Sequence, residues 1–159
     1  MSDNLKRMLQ LVTEFFDVRN DPDQLNVDDE VMEQLHQLHP ATMSQVANED
    51  GPILWLLLIP TTANIMKRFL AEELSERQLF EETQPGMAYD AIYMCSASVL
   101  PEFRRQGIAK RTCIEAINSI RKDHAIKSLF YWPFSTDGKL LAEAIAKEVG
   151  LPLFGHPAH

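Results

Sequence analysis

One segment of the chain combines residue types and spacing that favour binding of an anion. Arg104 and Arg105 stand just before Gly107, and Lys110 follows three positions later. Gly107 opens a stretch of helical periodicity, where the first backbone N–H groups are unpaired and lie at the positive end of the helix dipole. Glycine also lets a bulky ligand approach the backbone. The pattern predicts a pyrophosphate cradle, although an ordinary exposed turn would have the same composition.

A longer match makes the interpretation more specific. The run from Val99 to Ala109, VLPEFRRQGIA, resembles the acetyl-CoA motif of the GCN5-related N-acetyltransferase (GNAT) family. That motif reads Val-x-Pro-x-aromatic-(Arg/Gln)-x-x-Gly-x-(Gly/Ala), and every fixed position matches. The likeness extends over residues 41 to 154, with its specificity concentrated in residues 97 to 110. The chain is therefore identified as resembling a bacterial-type member of this family.

The resemblance implies acetyl-CoA as co-substrate and no metal. It implies that backbone groups of Ala97, Ser98 and Val99 hold the pantetheine arm and thioester carbonyl as an added strand would. The residues that it assigns to the pyrophosphate are Arg104, Arg105, Gln106, Gly107, Ile108, Ala109 and Lys110.

The implied activity is transfer of acetyl, or another short acyl group, to an amine by direct attack in a ternary complex. A non-catalytic acyl-CoA sensor or regulatory module is the alternative, and a purely structural interaction domain is a third hypothesis. The acceptor would be a small-molecule or peptide amine, and a homodimer is compatible with the sequence. The acidic composition favours a cationic acceptor.

The catalytic groups depart from the family pattern. Many members carry Asn after the fifth strand and, seven residues later, a Tyr that protonates the thiolate; Ser135 and Ala142 stand there instead. We expect Tyr93, Tyr131 or Ser135 to substitute. Tyr93 lies six residues before Val99, where histone-type members place a glutamate base. An unperturbed tyrosine titrates near pH 10, so Tyr93 would hold a water or orient an amine, and simple packing in a strand is equally open.

Hydrophobic periodicity and turn residues predict an α/β (α+β) fold. The resemblance implies a GNAT-like mixed, mostly antiparallel central sheet flanked by helices. We expect one domain over residues 1–159, with an extra helical part over 1–40. The hairpin, the cofactor motif and the C-terminal strand and helix would occupy 41–154. The family's first strand is missing, displaced, or supplied near Phe15 to Arg19.

Turn residues, capping residues and apolar runs predict the structure of the remaining segments. Residues Arg19 to Asn26 should be a connection, Asp28 or Asp29 should cap a helix, and Glu72 to Glu82 should continue a solvated helix. Two extended runs flank an Asp-Gly turn at residues 50–51, the second of them as a buried central strand. The predicted buried stripes are Leu5, Met8, Leu9, Val12 and Phe16 in the first helix and Leu140, Leu141, Ala144 and Ile145 in the last.

Composition excludes several classes of protein. The 15 basic and 23 acidic residues give a net charge of −8, which argues against a nucleic-acid partner. The longest apolar run, Ile53 to Ile59, is too short to span a membrane, and the N-terminus lacks a signal-peptide cleavage site. A cytoplasmic protein with reduced cysteines is expected.

The remaining reactive side chains are given structural interpretations. Cys95 is expected to be a small core residue, not a nucleophile. His36 and His39 would lie on a solvated helix without forming a metal site. His156 and His159 would fray in a short terminal tail.

Overall fold

The computed structural model describes residues 3–19, 28–133 and 135–157, with side chains of the first helix described as far as residue 14. The helices are α1 (Asp3–Arg19), α2 (Asp29–Leu38), α3 (Ala63–Leu70), α4 (Glu76–Glu82), α5 (Ile108–Asp123) and α6 (Thr136–Val149). The strands are β1 (Met43–Asn48), β2 (Gly51–Thr61), β3 (Ala91–Val99), β4 (Ser128–Tyr131) and β5 (Leu153–Gly155). A single 3-10 turn, Pro101–Phe103, follows β3.

All five strands form one sheet in the order β1-β2-β3-β4-β5. The long ladders β1–β2 and β2–β3 are antiparallel, and the short ladders β3–β4 and β4–β5 are parallel. Because β2 lies between two partners, it is buried along nearly its whole length, as its uniformly apolar sequence predicts. The predicted mixed, mostly antiparallel α/β fold is confirmed, and β5 is a strand that the sequence did not reveal.

Local sequence signals define the element ends. Asp28 caps α2 by accepting a hydrogen bond from the backbone N–H of Val31 at 2.9 Å. Gly51 closes the β1–β2 hairpin with a φ of 114°, and Gly150 ends α6 with a φ of 73°. Both φ values lie in the region that glycine adopts without steric cost. Thr62 and Ser135 cap α3 and α6.

Helix α1 packs across β2 and β3 beside the cofactor motif. Met8 is fully buried against Ile53, Leu54 and Leu100. Arg7 makes a two-pronged ion pair with Glu102 in the turn after β3, at 2.6 and 2.7 Å. The hypothesis of a strand near Phe15 to Arg19 is wrong, because this stretch is the last part of α1.

The segment from Glu72 to Glu82 is not one solvated helix. Helix α3 ends at Leu70, and Glu72 adopts a φ of 64°, which breaks the helical path. A capping box at Ser75 then starts α4, which buries Glu76, Leu79 and Phe80. The acidic composition of the segment does not indicate that α4 has a buried face.

Two histidines that the sequence predicts to be solvated, His39 and His156, are buried. His39 lies at the end of α2, where Nδ1 accepts from the Ala41 N–H at 3.0 Å and Nε2 contacts Asp123 Oδ2 at 2.6 Å. Since Nδ1 is an acceptor, the proton of the neutral ring lies on Nε2. His156 is 5% exposed and stacks on Trp132 with ring centroids 4.2 Å apart, so the chain does not fray at this residue.

The buried stripes differ in detail from the pattern expected. In α6 the buried residues are Ala142, Ile145 and Ala146, whereas Leu140 is 59% exposed. In α1, Met8 is buried and Leu9 is 44% exposed. The Phe16 side chain, residues 20–26 of the predicted connection, Phe134 and His159 lie outside the described residues.

Candidate functional site

Strands β3 and β4 separate halfway along β3. Their parallel ladder pairs Ala91–Met94 with Ser128–Tyr131 and then ends. Beyond Met94, β3 continues to Val99 while paired only with β2 among the described residues. The backbone on the β4 side of residues 96–98 has no strand partner among the described residues, so this edge can pair with an extended chain of amide groups.

The ladder ends because β4 itself ends at Tyr131. A β-bulge lies at the same level of β3: Leu58 pairs with Met94 but the adjacent Leu57 pairs with Ser96, so Cys95 is an extra residue on β3. Bulges bend the strand that carries them and increase its local twist.

The turn after β3 leads into an uncapped helix start. Arg105 and Gly107 have φ values of 63° and 78°, and no side chain caps α5 at Gly107. A Cβ atom added at Gly107 would meet no atom within 4 Å, so the space in front of the helix is open. Successive N–H groups at such a start form an anion-binding concavity.

The cations of the motif surround this helix start and differ in their contacts. Arg105 is exposed. Arg104 is also exposed, and its Nε donates to the Val99 carbonyl at 3.0 Å, which fixes the turn against β3. Lys110 lies 3.7 Å from Glu148 of α6. Gln106 donates to the Glu102 carbonyl, so its side chain supports the turn.

A cleft of about 170 Å³ continues from this region between the separated strands. Its volume is below the roughly 300–1,000 Å³ of pockets for drug-sized ligands, so it admits only a slender group. The lining residues are Leu56, Met94, Cys95, Ser96, Ala97, Ala109, Cys113, Tyr131, Trp132, Pro133, Ser135, Gly138, Leu141, Ala142 and Ile145. Among these, the sequence singled out Ala97 and Ala109 as cofactor-binding residues and Tyr131 and Ser135 as candidate catalytic residues. It did not assign Gly138, Leu141 or Ile145 of α6 to the site.

The three candidate catalytic residues occupy different environments. Tyr131 and Ser135 both line the cleft. Ser135 Oγ accepts the capping bond from the Gly138 N–H at 3.0 Å, which leaves its hydroxyl proton available for donation. Tyr93 is fully buried on the opposite face of the sheet, and its hydroxyl donates to Glu76 Oε2 at 2.6 Å. The structure therefore brings Tyr131 and Ser135 together and places Tyr93 apart from them.

Both cysteines line the cleft, and neither forms a disulfide. Burial raises the pKa of the Cys113 thiol to about 12, so Cys113 stays a neutral thiol at physiological pH. Cys95 is half-buried at the bulge. It packs against the main hydrophobic core, and its role as a small core residue rather than a nucleophile stays a prediction.

Among the described residues, no cluster of three or more His, Cys, Asp or Glu side chains could hold a metal ion. Within the same ranges, no helix combines the length and apolar character that crossing a bilayer requires.

Comparison with known proteins finds similarity at the level of structure. No family model matches the sequence, and no curated protein matches it significantly. Chaetomium thermophilum Naa20, solved in complex with a bisubstrate analogue, is 16% identical with a TM-score of 0.49. The match covers 80% of this chain and 60% of Naa20, so the chain spans less than two thirds of that protein's length.

An aminoglycoside acetyltransferase, meta-AAC0020 from an uncultured soil metagenomic sample, is also similar. Its complex with trehalose is 18% identical with a TM-score of 0.46, and its complex with sisomicin is 18% identical with a TM-score of 0.45. Each match covers 93% of this chain and 84% of the enzyme.

Proposed function

We propose that this chain is a GNAT-family enzyme that transfers an acyl group from an acyl-CoA thioester to an amine. One observation carries the proposal: the open edge of β3 runs directly into the uncapped start of α5. An extended amide chain suits a strand edge, and a pyrophosphate suits a helix start. Few ligands other than a coenzyme A derivative combine these two chemistries in one molecule.

The residues present fit such a donor. Backbone groups of Ala97 and Ser98 would pair with the pantetheine arm, and Val99 would contribute less because Arg104 already occupies its carbonyl. The N–H groups of Ile108, Ala109 and Lys110 would hold the pyrophosphate, supported by the charge of Arg105. The bound donor would supply an activated acyl thioester, and the cleft that would receive it is lined by Tyr131 and Ser135.

The acceptor is proposed only by class. The net charge of −8 favours a cationic amine. A suitable panel contains an aminoglycoside such as sisomicin, a polyamine and peptides with free N-termini. Acceptor-dependent release of the CoA thiol would identify an enzyme, whereas CoA binding without thiol release would identify an acyl-CoA sensor.

Substitution of Gly107 tests the location of the donor site. Gly107→Glu places a carboxylate at the positive helix start and should weaken CoA binding at least about tenfold, measured by calorimetry. Gly86→Glu is a matched control, because Gly86 has a φ of 86° against 78° at Gly107 and equally open space around its Cα. Both variants therefore carry similar backbone strain, and only one faces the proposed ligand. Equal CoA affinity in the two folded variants would place the donor elsewhere.

A further inference from the structure

Glu102 is an acidic side chain inside a segment that otherwise suits an anion. It is the only Asp or Glu in the run from Val99 to Ala109, and Arg104 and Arg105 follow it closely. The hydrogen bonds from Arg7 hold the pKa of Glu102 at about 2, so its carboxylate is ionised at neutral pH. An unpaired negative charge at this position would oppose the binding of a pyrophosphate at the start of α5.

Helix α1 supplies the positive charge that balances Glu102. Nη1 and Nη2 of Arg7 donate to the two carboxylate oxygens at 2.7 and 2.6 Å. Such paired N–H···O bonds fix the orientation of the two charged groups as well as their distance. The next residue of α1, Met8, is fully buried in the cluster that contains Leu100. The charge of the cofactor motif is therefore balanced by an anchored helix that lies 95 residues earlier in the chain.

The turn after β3 also has hydrogen bonds of its own. Three of them join residues of this segment to one another at 2.9–3.0 Å: Phe103 N–H to the Leu100 carbonyl, Arg104 Nε to that of Val99, and Gln106 Nε2 to that of Glu102. None of these bonds involves α1. Loss of the Arg7 side chain should therefore change the charge beside the helix start more than the path of the backbone.

We propose that Arg7 neutralises Glu102 so that the turn can accept the pyrophosphate of an acyl-CoA donor. This inference rests on the proposed function, and it makes α1 a part of the donor site. Arg7 is a positioning residue in this proposal, because it acts through Glu102 and does not itself touch the donor. Both side chains are about half exposed, 45% and 48%, so water and salt screen part of the effect.

Calorimetric titration with CoA at low ionic strength tests the proposal. Arg7→Gln leaves the carboxylate of Glu102 unbalanced and should weaken CoA binding about fivefold. Arg7→Lys keeps a cation beside the carboxylate and should bind within about twofold of the wild type. Glu102→Gln removes the negative charge and should bind CoA at least as tightly as the wild type. The double variant Arg7→Gln/Glu102→Gln should recover wild-type affinity within about twofold.

Arg68→Gln is the matched control. The ion pair of Arg68 with Glu82 has a length of 2.7 Å and exposures of 40% and 41%, but it joins α3 to α4 outside the cofactor motif. This variant changes the net charge by the same amount and should leave CoA affinity within about twofold. At about 0.5 M salt the Debye length falls to about 4 Å, so most of the difference between Arg7→Gln and the wild type should disappear.

The signs of the two single changes separate a charge effect from simple bracing of the turn. If Glu102→Gln weakens binding as much as Arg7→Gln and the double variant recovers nothing, the ion pair only braces the turn and the inference fails. Unchanged affinity in Arg7→Gln, or an equal loss in Arg68→Gln, overturns it too, while CoA binding by the wild type leaves the donor site standing. A wild-type protein that binds no CoA overturns the inference and the proposed function together.

Discussion

The two faces of the central sheet differ in whether a buried tyrosine hydroxyl is hydrogen-bonded. On the face covered by α3 and α4, Tyr93 is fully buried and bonded to Glu76 at 2.6 Å. On the face covered by α5 and α6, Tyr131 lies beside an open cleft and is unpaired among the described residues. Tyr93 pairs with Phe130, the residue directly before Tyr131, so the two tyrosines are close in the sheet. One face is closed by a buried hydrogen bond, and the other leaves a tyrosine beside an open cleft.

The face covered by α3 and α4 should lose the most unfolding free energy when its packing is disrupted. Phe69 is fully buried, and its ring centroid lies 4.7–6.0 Å from those of Tyr93, Phe130, Trp132 and His156. Phe69→Ala should therefore lower the free energy of unfolding by about 3–5 kcal/mol, measured by urea denaturation.

A substitution on α6, over the open face, supplies the control. Leu140 is 59% exposed, so Leu140→Ala should change the free energy of unfolding by less than about 0.5 kcal/mol. Comparable losses of unfolding free energy in the two variants would show that packing on the face covered by α3 and α4 does not dominate stability.

Replacing each tyrosine with phenylalanine removes only the hydroxyl, so the two changes in unfolding free energy compare the hydrogen bonding of the two faces. Tyr93→Phe takes a hydrogen bond from Glu76, which is 1% exposed, and should cost about 1–3 kcal/mol of unfolding free energy. Tyr131→Phe removes no hydrogen bond within the protein and should cost less than about 0.5 kcal/mol. If Tyr131→Phe is the more destabilising change, its hydroxyl has a structural partner and is not held open for a ligand.

The smallest expected effect concerns the ion pair between α1 and the turn of the cofactor motif. The hydrogen bond from Arg7 holds the pKa of Glu102 at about 2, below its ordinary value. A depressed carboxyl pKa stabilises the folded state above the unfolded-state pKa and loses that contribution as pH falls through the folded-state pKa. The contribution should therefore fade between about pH 5 and pH 2.

The variant Glu102→Gln isolates this contribution. Its stability should fall less than that of the wild type across the same pH interval, as measured by thermal unfolding. Because both partners are exposed, the difference should be small and should shrink at high salt. Parallel pH curves for the two proteins would contradict the prediction.

Sequence reasoning succeeded where the determinants were local. The cap at Asp28, one of the two aspartates expected there, and the turn at Gly51 were predicted correctly, because a cap or a tight turn depends on residues within one turn of chain. The segment that resembles the acetyl-CoA motif is similarly compact, since residues 97–110 form one strand end, one turn and one helix start.

Features that depend on distant partners were missed. His39 is buried where its ring contacts the carboxylate of Asp123, which lies 84 residues away in the sequence. His156 is buried because Trp132 and Phe69 pack against its ring. Glu76 lies in an acidic stretch typical of a solvated helix, yet it is buried and accepts a hydrogen bond from Tyr93. No periodicity in the sequence encodes these pairings.

The bulge at Cys95 shifts the phase of in–out alternation along β3. Met94 lies opposite Leu58, whereas Ala97 lies opposite Leu56 and Val99 opposite Leu54. If Cys95 paired regularly with Leu57, Ser96 and Ser98 would take the side that now carries Ala97 and Val99, because strand side chains alternate with a period of two. The bulge thus determines which side chains of β3 share a face with Met94. Deletion of Cys95 should therefore remove the bend while leaving Ala97 and Val99 on their present side.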